Sequence, residues 1–151
     1  MSLLIFSCDD DNDKGSIGPV SNPSSQPYIG GVILTWTNPA ESDYYCTLVT
    51  YQNAAGETVK KKISHYESKD GVTTTTITGF EDTDTYTFTL TAYNVDGATS
   101  SPVTVTGTPQ DASMAYYYIV NTVTSTPGFQ GATIHWENEY LVTAYINISY
   151  T

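Results

Sequence analysis

Histidines, cysteines, clustered carboxylates and aromatic rings are the groups in this chain that could do chemistry, and each set is sparse or badly spaced for it. The two histidines, His65 and His135, are the side chains that change charge near neutral pH. His65 follows a lysine-rich run and His135 falls on the outward face of a strand. No carboxylate or cysteine completes a ligand pattern around either. A nucleophile elbow, a glycine-rich phosphate loop and a zinc-ligand spacing are all missing from the sequence. Glu81, Asp82 and Asp84 read as a solvated acidic turn. Asp9, Asp11 and Asp13 do not make a calcium loop, because Lys14 stands where glycine is needed and Val20 where glutamate is needed. The expectation is a protein with no catalytic residue, no metal and no cofactor, and therefore not an enzyme.

Tyrosine is the exception to this scarcity, with thirteen residues in 151. A flat ring that carries a hydroxyl can stack on a sugar and hydrogen-bond to it. Tyr93 and Tyr51, read as outward-facing, and Tyr117, in the Tyr116–Tyr118 run, are the candidate ligand-binding residues. The alternative is ordinary packing on a β surface or between repeats.

Sixteen acidic residues stand against five lysines and no arginine, for a net charge of −11. Phosphate recognition needs a positive footprint, so a nucleic-acid partner is excluded. Lys60, Lys61 and Lys62 are the one basic cluster and read as an edge strand protected against unwanted pairing. Cys46 lies within a strand-like run and Cys8 near the start. No disulfide is expected between them, and Cys46 reads as a small buried hydrophobe.

The elements that would position these groups are organised around an internal repeat. Gly31-Val-Ile-Leu-Thr-Trp-Thr-Asn38 is echoed one hundred residues later by Gly131-Ala-Thr-Ile-His-Trp-Glu-Asn138. Apolar residues alternate in both copies, the period of a strand with one buried face. Trp36 and Trp136 are expected as core anchors. The same offset pairs Tyr44, Cys46 and Leu48 with Ala144, Ile146 and Ile148, and this predicts an inward face on those positions. Turn signals at Asn38-Pro39, Asn53 to Gly56, Asp70-Gly71 and Asp96-Gly97 divide residues 31–109 into successive strands. No segment of helical period reaches ten residues, and Tyr116 to Val120 reads as a strand that opens a second unit.

Ile77-x-x-Phe80 followed by Tyr86, then Tyr86-Thr-Phe-Thr-Leu-Thr-Ala-Tyr-Asn94 and the Asp96-Gly97 turn, resembles the fibronectin type III repeat. That resemblance implies an all-β fold, an immunoglobulin-like antiparallel sandwich. It makes Trp36 the core tryptophan, Phe80 the apolar loop residue, and Tyr86 a corner tyrosine whose hydroxyl ties the loop to the backbone. Glu81-Asp82-Thr83-Asp84 replaces the usual loop proline. A complete repeat is expected over residues 25–110. Residues 111–151 are expected to be the first strands of a second, truncated one.

Residues 1–7, apolar and ending in Ile5-Phe6-Ser7 before Cys8, resemble the remnant of a bacterial lipoprotein signal peptide. The resemblance makes Cys8 the lipidation site. No basic residue precedes it, which places the true start upstream. Asp9-Asp10-Asp11 resembles the surface-export signal of Bacteroidetes lipoproteins, and residues 8–24 read as an acidic, flexible tether. Tandem repeats behind such a signal resemble a domain-of-unknown-function family of Bacteroidetes outer-membrane lipoproteins, often followed by a discoidin-like, galactose-binding-type domain. This implies a lipid-anchored, surface-exposed spacer or scaffold in the outer membrane that presents a distal carbohydrate-binding domain. The alternative is that the sandwich itself binds polysaccharide or a surface protein complex through its tyrosines.

Overall fold

The computed structural model describes residues 15–140 and 142–149. Cys8, the signal remnant and the Asp9–Asp11 run lie outside the described residues. Strands β1 (Ser21–Tyr28), β2 (Gly31–Thr37), β3 (Tyr44–Gln52), β4 (Thr58–Ser64), β5 (Ser68–Lys69), β6 (Val72–Thr78), β7 (Tyr86–Asn94) and β8 (Val103–Gly107) form two four-stranded sheets. One sheet has the order β1-β2-β6-β5, the other β4-β3-β7-β8, and all strand pairs within them are antiparallel. This is the expected sandwich.

The core is built from the alternating inward positions of both sheets. Val32, Leu34 and Trp36 of β2 and Ile77 of β6 face Phe88, Leu90 and Ala92 of β7, all at 1% exposure or less. Phe80 fills the end of the sandwich against Tyr86, with ring centroids 4.3 Å apart. At the other end Tyr44, Thr47, Asn38 and Thr73 form a buried polar knot. The Tyr44 hydroxyl lies 2.7 Å from Thr47 Oγ1, and Thr73 Oγ1 donates to Asn38 Oδ1 at 2.8 Å. Trp36 stacks its bulk beside this knot, although its indole N–H makes no hydrogen bond of ordinary geometry.

Two sequence expectations are corrected here. Ile17 and Val20 are buried in the core, and β1 begins at Ser21. The Gly18 amide donates to Glu41 Oε1 at 2.8 Å. The folded unit therefore starts before residue 25, and residues 17–24 are not a free tether. The inward face of β3 also switches. A bulge between Tyr44 and Cys46 shifts the register against β7, so one extra residue reverses every later side chain. Tyr44 faces inward, then Thr47 and Val49 do, while Leu48 is only half-buried. Cys46 pairs with Tyr93 on the outer face and is buried outside the core cluster.

Beyond β8 the chain forms helix α1 (Ser113–Thr122), where the sequence reading expected a strand. Ala112, Ala115 and Ile119 lie on one helical face and pack with Val142 against Ile29 and Tyr140. Spacings of three and four residues bury this stripe, which leaves Tyr117 on the exposed side. The Asp111 carboxylate accepts the Ser113 amide at the start of the helix, 2.8 Å away. That hydrogen bond lowers the Asp111 pKa.

Strands β9 (Thr124–Gly128) and β10 (Gly131–His135) follow as a two-stranded ribbon. Its pairing reproduces that of β1 and β2. Gly128↔Gly131, Pro127↔Ala132, Thr126↔Thr133, Ser125↔Ile134 and Thr124↔His135 match Tyr28↔Gly31, Pro27↔Val32, Gln26↔Ile33, Ser25↔Leu34 and Ser24↔Thr35, every pair displaced by one hundred. Gln130 takes the left-handed turn conformation (φ 57°) that Gly30 takes in the first copy (φ 62°). Trp136 is nevertheless 42% exposed and is not a core anchor. Among the described residues no second sheet faces this ribbon, so its alternating apolar positions have nothing to bury against.

Candidate functional site

The three candidate tyrosines are not brought together. Tyr51 sits at the inward-facing end of β3, its ring 5.3 Å from Phe88 and 5.7 Å from Phe80, and is half-buried rather than outward. The bulge at Tyr44–Cys46 is the reason, since it exchanges the faces of all later β3 residues. Tyr93 does face outward, as expected, beside Cys46 and bridged to Thr99. It lies at the opposite end of β7 from the residues that neighbour Tyr51. Tyr117 projects from α1, beyond the sandwich.

Concavities among the described residues that are large enough to hold a small ligand include one of about 340 Å³ lined by Tyr117, Tyr118, Asn121 and Thr122 and two larger ones. The first, about 560 Å³, lies at the corner where β3, β4 and β7 meet, lined by Tyr51, Gln52, Asn53, Asp84, Tyr86 and threonine hydroxyls. The β3–β4 turn beside it is held rigid: Asn53 Oδ1 accepts the amides of Ala55 and Glu57. The groove offers aromatic edges, amides and hydroxyls, the groups that suit a neutral polyhydroxylated ligand. The second, about 650 Å³, lies between α1 and residues 143–146, with Tyr116, Ile119, Val120, Tyr145 and Ile146 on its apolar side and Glu81 and Asp111 at its rim.

Tyr86 defines the chemistry of the loop next to the first groove. Its hydroxyl donates to both oxygens of Asp82, at 2.8 and 2.9 Å. The corner is therefore closed on a side-chain carboxylate, not on the backbone as the resemblance implied. Asp82 replaces the missing proline in function: it also accepts the Asp84 amide at 3.1 Å and so folds the loop on itself. Burial, the Asp82 hydrogen bond and the negative charge of Asp82 and Asp84 push the Tyr86 phenol up to about 12. This group stays neutral and acts as a fixed donor. Asp82 was missed by sequence reasoning, although an aspartate four residues before the corner tyrosine is the signal for it.

The remaining chemistry-bearing residues line neither of these grooves. His65 opens a 3-10 turn (His65–Glu67), with Nδ1 3.0 Å from the Tyr45 carbonyl. His135 lies 4.0 Å from Glu137 on an open surface, where such a pair contributes little. Burial raises the Cys46 thiol pKa, partly offset by Lys62, so the reactive thiolate is disfavoured. Lys61 crosses the open side of the sandwich and donates to the Thr76 carbonyl at 3.1 Å. Among the described residues no three His, Cys, Asp or Glu side chains gather as a metal would require, and no helix is long and apolar enough to cross a membrane.

The strand order and the corner tyrosine define a fibronectin type III-like β-sandwich. Solved structures of that fold resemble it. A computationally redesigned β-sandwich protein is 22% identical, aligns over 62% of this chain and 90% of its own, and has a TM-score of 0.50. The fibronectin type III domain of the human KIAA0970 protein is 15% identical over 73% and 88% of the two chains, with a TM-score of 0.46. No curated protein sequence matches. Residues 17–109 match the family described as "Domain of unknown function (DUF4959)", and the chain belongs to that family. Its boundaries agree with a folded unit that begins at Ile17.

Proposed function

We propose that this chain is the membrane-proximal part of a Bacteroidetes-type surface lipoprotein, lipidated at Cys8, whose sandwich is a non-enzymatic spacer for a distal glycan-binding domain. One observation carries the reading. β1 and β8 run parallel along neighbouring edges, with Ser25 Oγ bonded to the Thr106 carbonyl at 2.6 Å and Ile29 bridged to Gln110. The chain thus enters beside Glu41 and leaves at the far end beside Gly30. An eight-residue strand between those ends spans roughly 26 Å. A domain whose ends lie at opposite poles adds its full length to whatever it joins. Eight residues lie between Cys8 and Ile17, nine steps along the chain and at most about 32 Å, so the first sandwich is held close to the membrane.

The test has two arms. In cells that express the natural gene product, a fatty-acid label should enter the chain and be lost in Cys8→Ala, with release from the membrane fraction. On a glycan array the 151-residue chain should retain nothing. Retention that disappears on Gln52→Ala or Asn53→Ala would replace the spacer with the second reading. In that reading the 560 Å³ groove beside Tyr51 binds a neutral glycan. Retention lost on Tyr93→Ala or Tyr117→Ala would place a glycan on the exposed tyrosines instead.

A further inference from the structure

Within the complete sandwich, residues 15–110, the large hydrophobic side chains that stay exposed are Tyr45, Tyr66, Val72 and Val95. All four lie at one pole. Tyr45 is at the start of β3, Val72 opens β6, Tyr66 sits in the turn after β4 and Val95 follows the last residue of β7. The rim that joins them is continuous. The Val95 amide donates to the Asp43 carbonyl at 3.0 Å, the Tyr45 carbonyl lies 3.0 Å from His65 Nδ1, and the His65 and Tyr66 rings are 3.9 Å apart. The Asn38 amide donates to the Gly71 carbonyl at 2.8 Å, which holds the turn before Val72 against the β2–β3 loop. Tyr66 at 85% and Val95 at 63% stand furthest into solvent.

This is also the pole at which the chain enters. The Gly18 amide is bonded to Glu41 in the β2–β3 loop, next to the buried Ile17, and Cys8 is at most about 32 Å of chain away. Resting on the reading that Cys8 is lipidated, we propose that this pole is a foot that docks on the lipid surface. The occupant is the headgroup layer of the bilayer that holds the anchor. Tyrosine suits that depth, since its ring is apolar and its hydroxyl stays wet. Glu41, Asp43, Glu67, Asp70 and Asp96 outnumber His65 and Lys69 at this pole, so the rings and valines drive the contact and charge does not. Weak contacts suffice, because the anchor makes docking intramolecular. With the foot down the strands stand upright, and the exit beside Gly30 points away from the membrane.

The experiment couples the whole 151-residue chain through its Cys8 thiol to a maleimide lipid in phosphatidylcholine vesicles, Cys46 being buried. Hydrogen exchange is followed by mass spectrometry. The amides of residues 65–68 and 95–97 should slow about threefold or more relative to the uncoupled chain, while those of residues 53–57 at the opposite pole keep their rates. The protection should persist at about 1 M salt, which screens charges more than about 3 Å apart. Tyr66→Ser combined with Val95→Ser should remove it and leave the thermal midpoint unchanged, since both side chains are exposed. Unaltered exchange at 65–68 and 95–97 in the coupled chain overturns the proposal. So does protection that salt removes, that survives the double substitution, or that falls on residues 58–64 of β4 instead. The tether is chemical, so this result is separate from the fatty-acid label. A protected pole without the label refutes lipidation at Cys8 alone, and a label without the protection refutes the foot alone.

Discussion

The β1–β2 and β9–β10 hairpins share five register pairs, a proline one residue before the turn pair and a left-handed turn residue. Each has a tryptophan five residues after the glycine that opens its second strand, yet Trp36 is 1% exposed and Trp136 is 42% exposed. Val32 and Leu34 are fully buried, whereas Ala132 is exposed and Ile134 half-buried. Local pairing is the same in both. What differs is the opposing layer: β3 and β7 cover the face of β2, and no described residues play that part for β10. Alternation creates a face that gains by burial, but burial itself needs a second sheet. The asparagines diverge for the same reason. Asn38 accepts from Thr73 across the sheet, while Asn138 turns back on its own loop and bonds both backbone groups of Val142.

Paired substitutions sharpen this comparison. Trp36→Ala should cost about 3–5 kcal/mol, the usual loss for a large buried aromatic, seen as a collapse of the denaturant midpoint. Gly31→Ala comes next: its Cβ would lie 2.6 Å from the Ile77 carbonyl oxygen, an overlap worth about 1–3 kcal/mol. Closing the corner through Asp82 predicts that Tyr86→Phe loses about 1 kcal/mol. The Tyr86 phenol also gives that corner a pH signature. Its proton is held up to about 12 in the folded state against 10.0 unfolded. The folded chain therefore binds more protons in that window, so stability present below pH 10 is lost as pH rises toward 12. Tyr86→Phe should flatten part of this loss in alkaline melts. At the small end, Trp136→Ala and Gly131→Ala should each change the sandwich midpoint by no more than about 0.5 kcal/mol, since a Cβ at Gly131 meets nothing within 4 Å. A large effect from either would mean that β10 is covered after all.

Much of the sandwich was legible beforehand because it rests on period-two alternation and on turn residues, which are local. Trp36, expected in the core from the alternation of its strand, and Phe80 and Tyr86, placed by the fibronectin type III resemblance, are all buried. The repeat at offset one hundred was also visible, and it extends further back than the sequence reading took it, through Pro27 and Pro127 to Ser25 and Ser125.

The misread residues have three separate causes. Tyr51 and Leu48 changed faces because one bulge near Tyr44 reversed the parity of β3, and a bulge leaves no mark in the alternation on either side of it. Tyr116 to Val120 looked like a strand by its aromatic content, but the small residues Ala112 and Ala115 let a helix pack closely on Ile29. Tertiary contact outweighed propensity there. Ile17 and Val20 lacked a periodic neighbour, so their burial had no local signal.

By itself the sequence determined the acidic character, the succession of strands from residue 31 to 109 and the repeat at an offset of one hundred, all of which follow from residue type and near-neighbour geometry. Only the tertiary structure decided which face of β3 points inward, where the Tyr86 hydroxyl is anchored, and which of two equivalent tryptophans is buried. Each of those depends on atoms brought by a different strand, and a one-dimensional pattern does not record them.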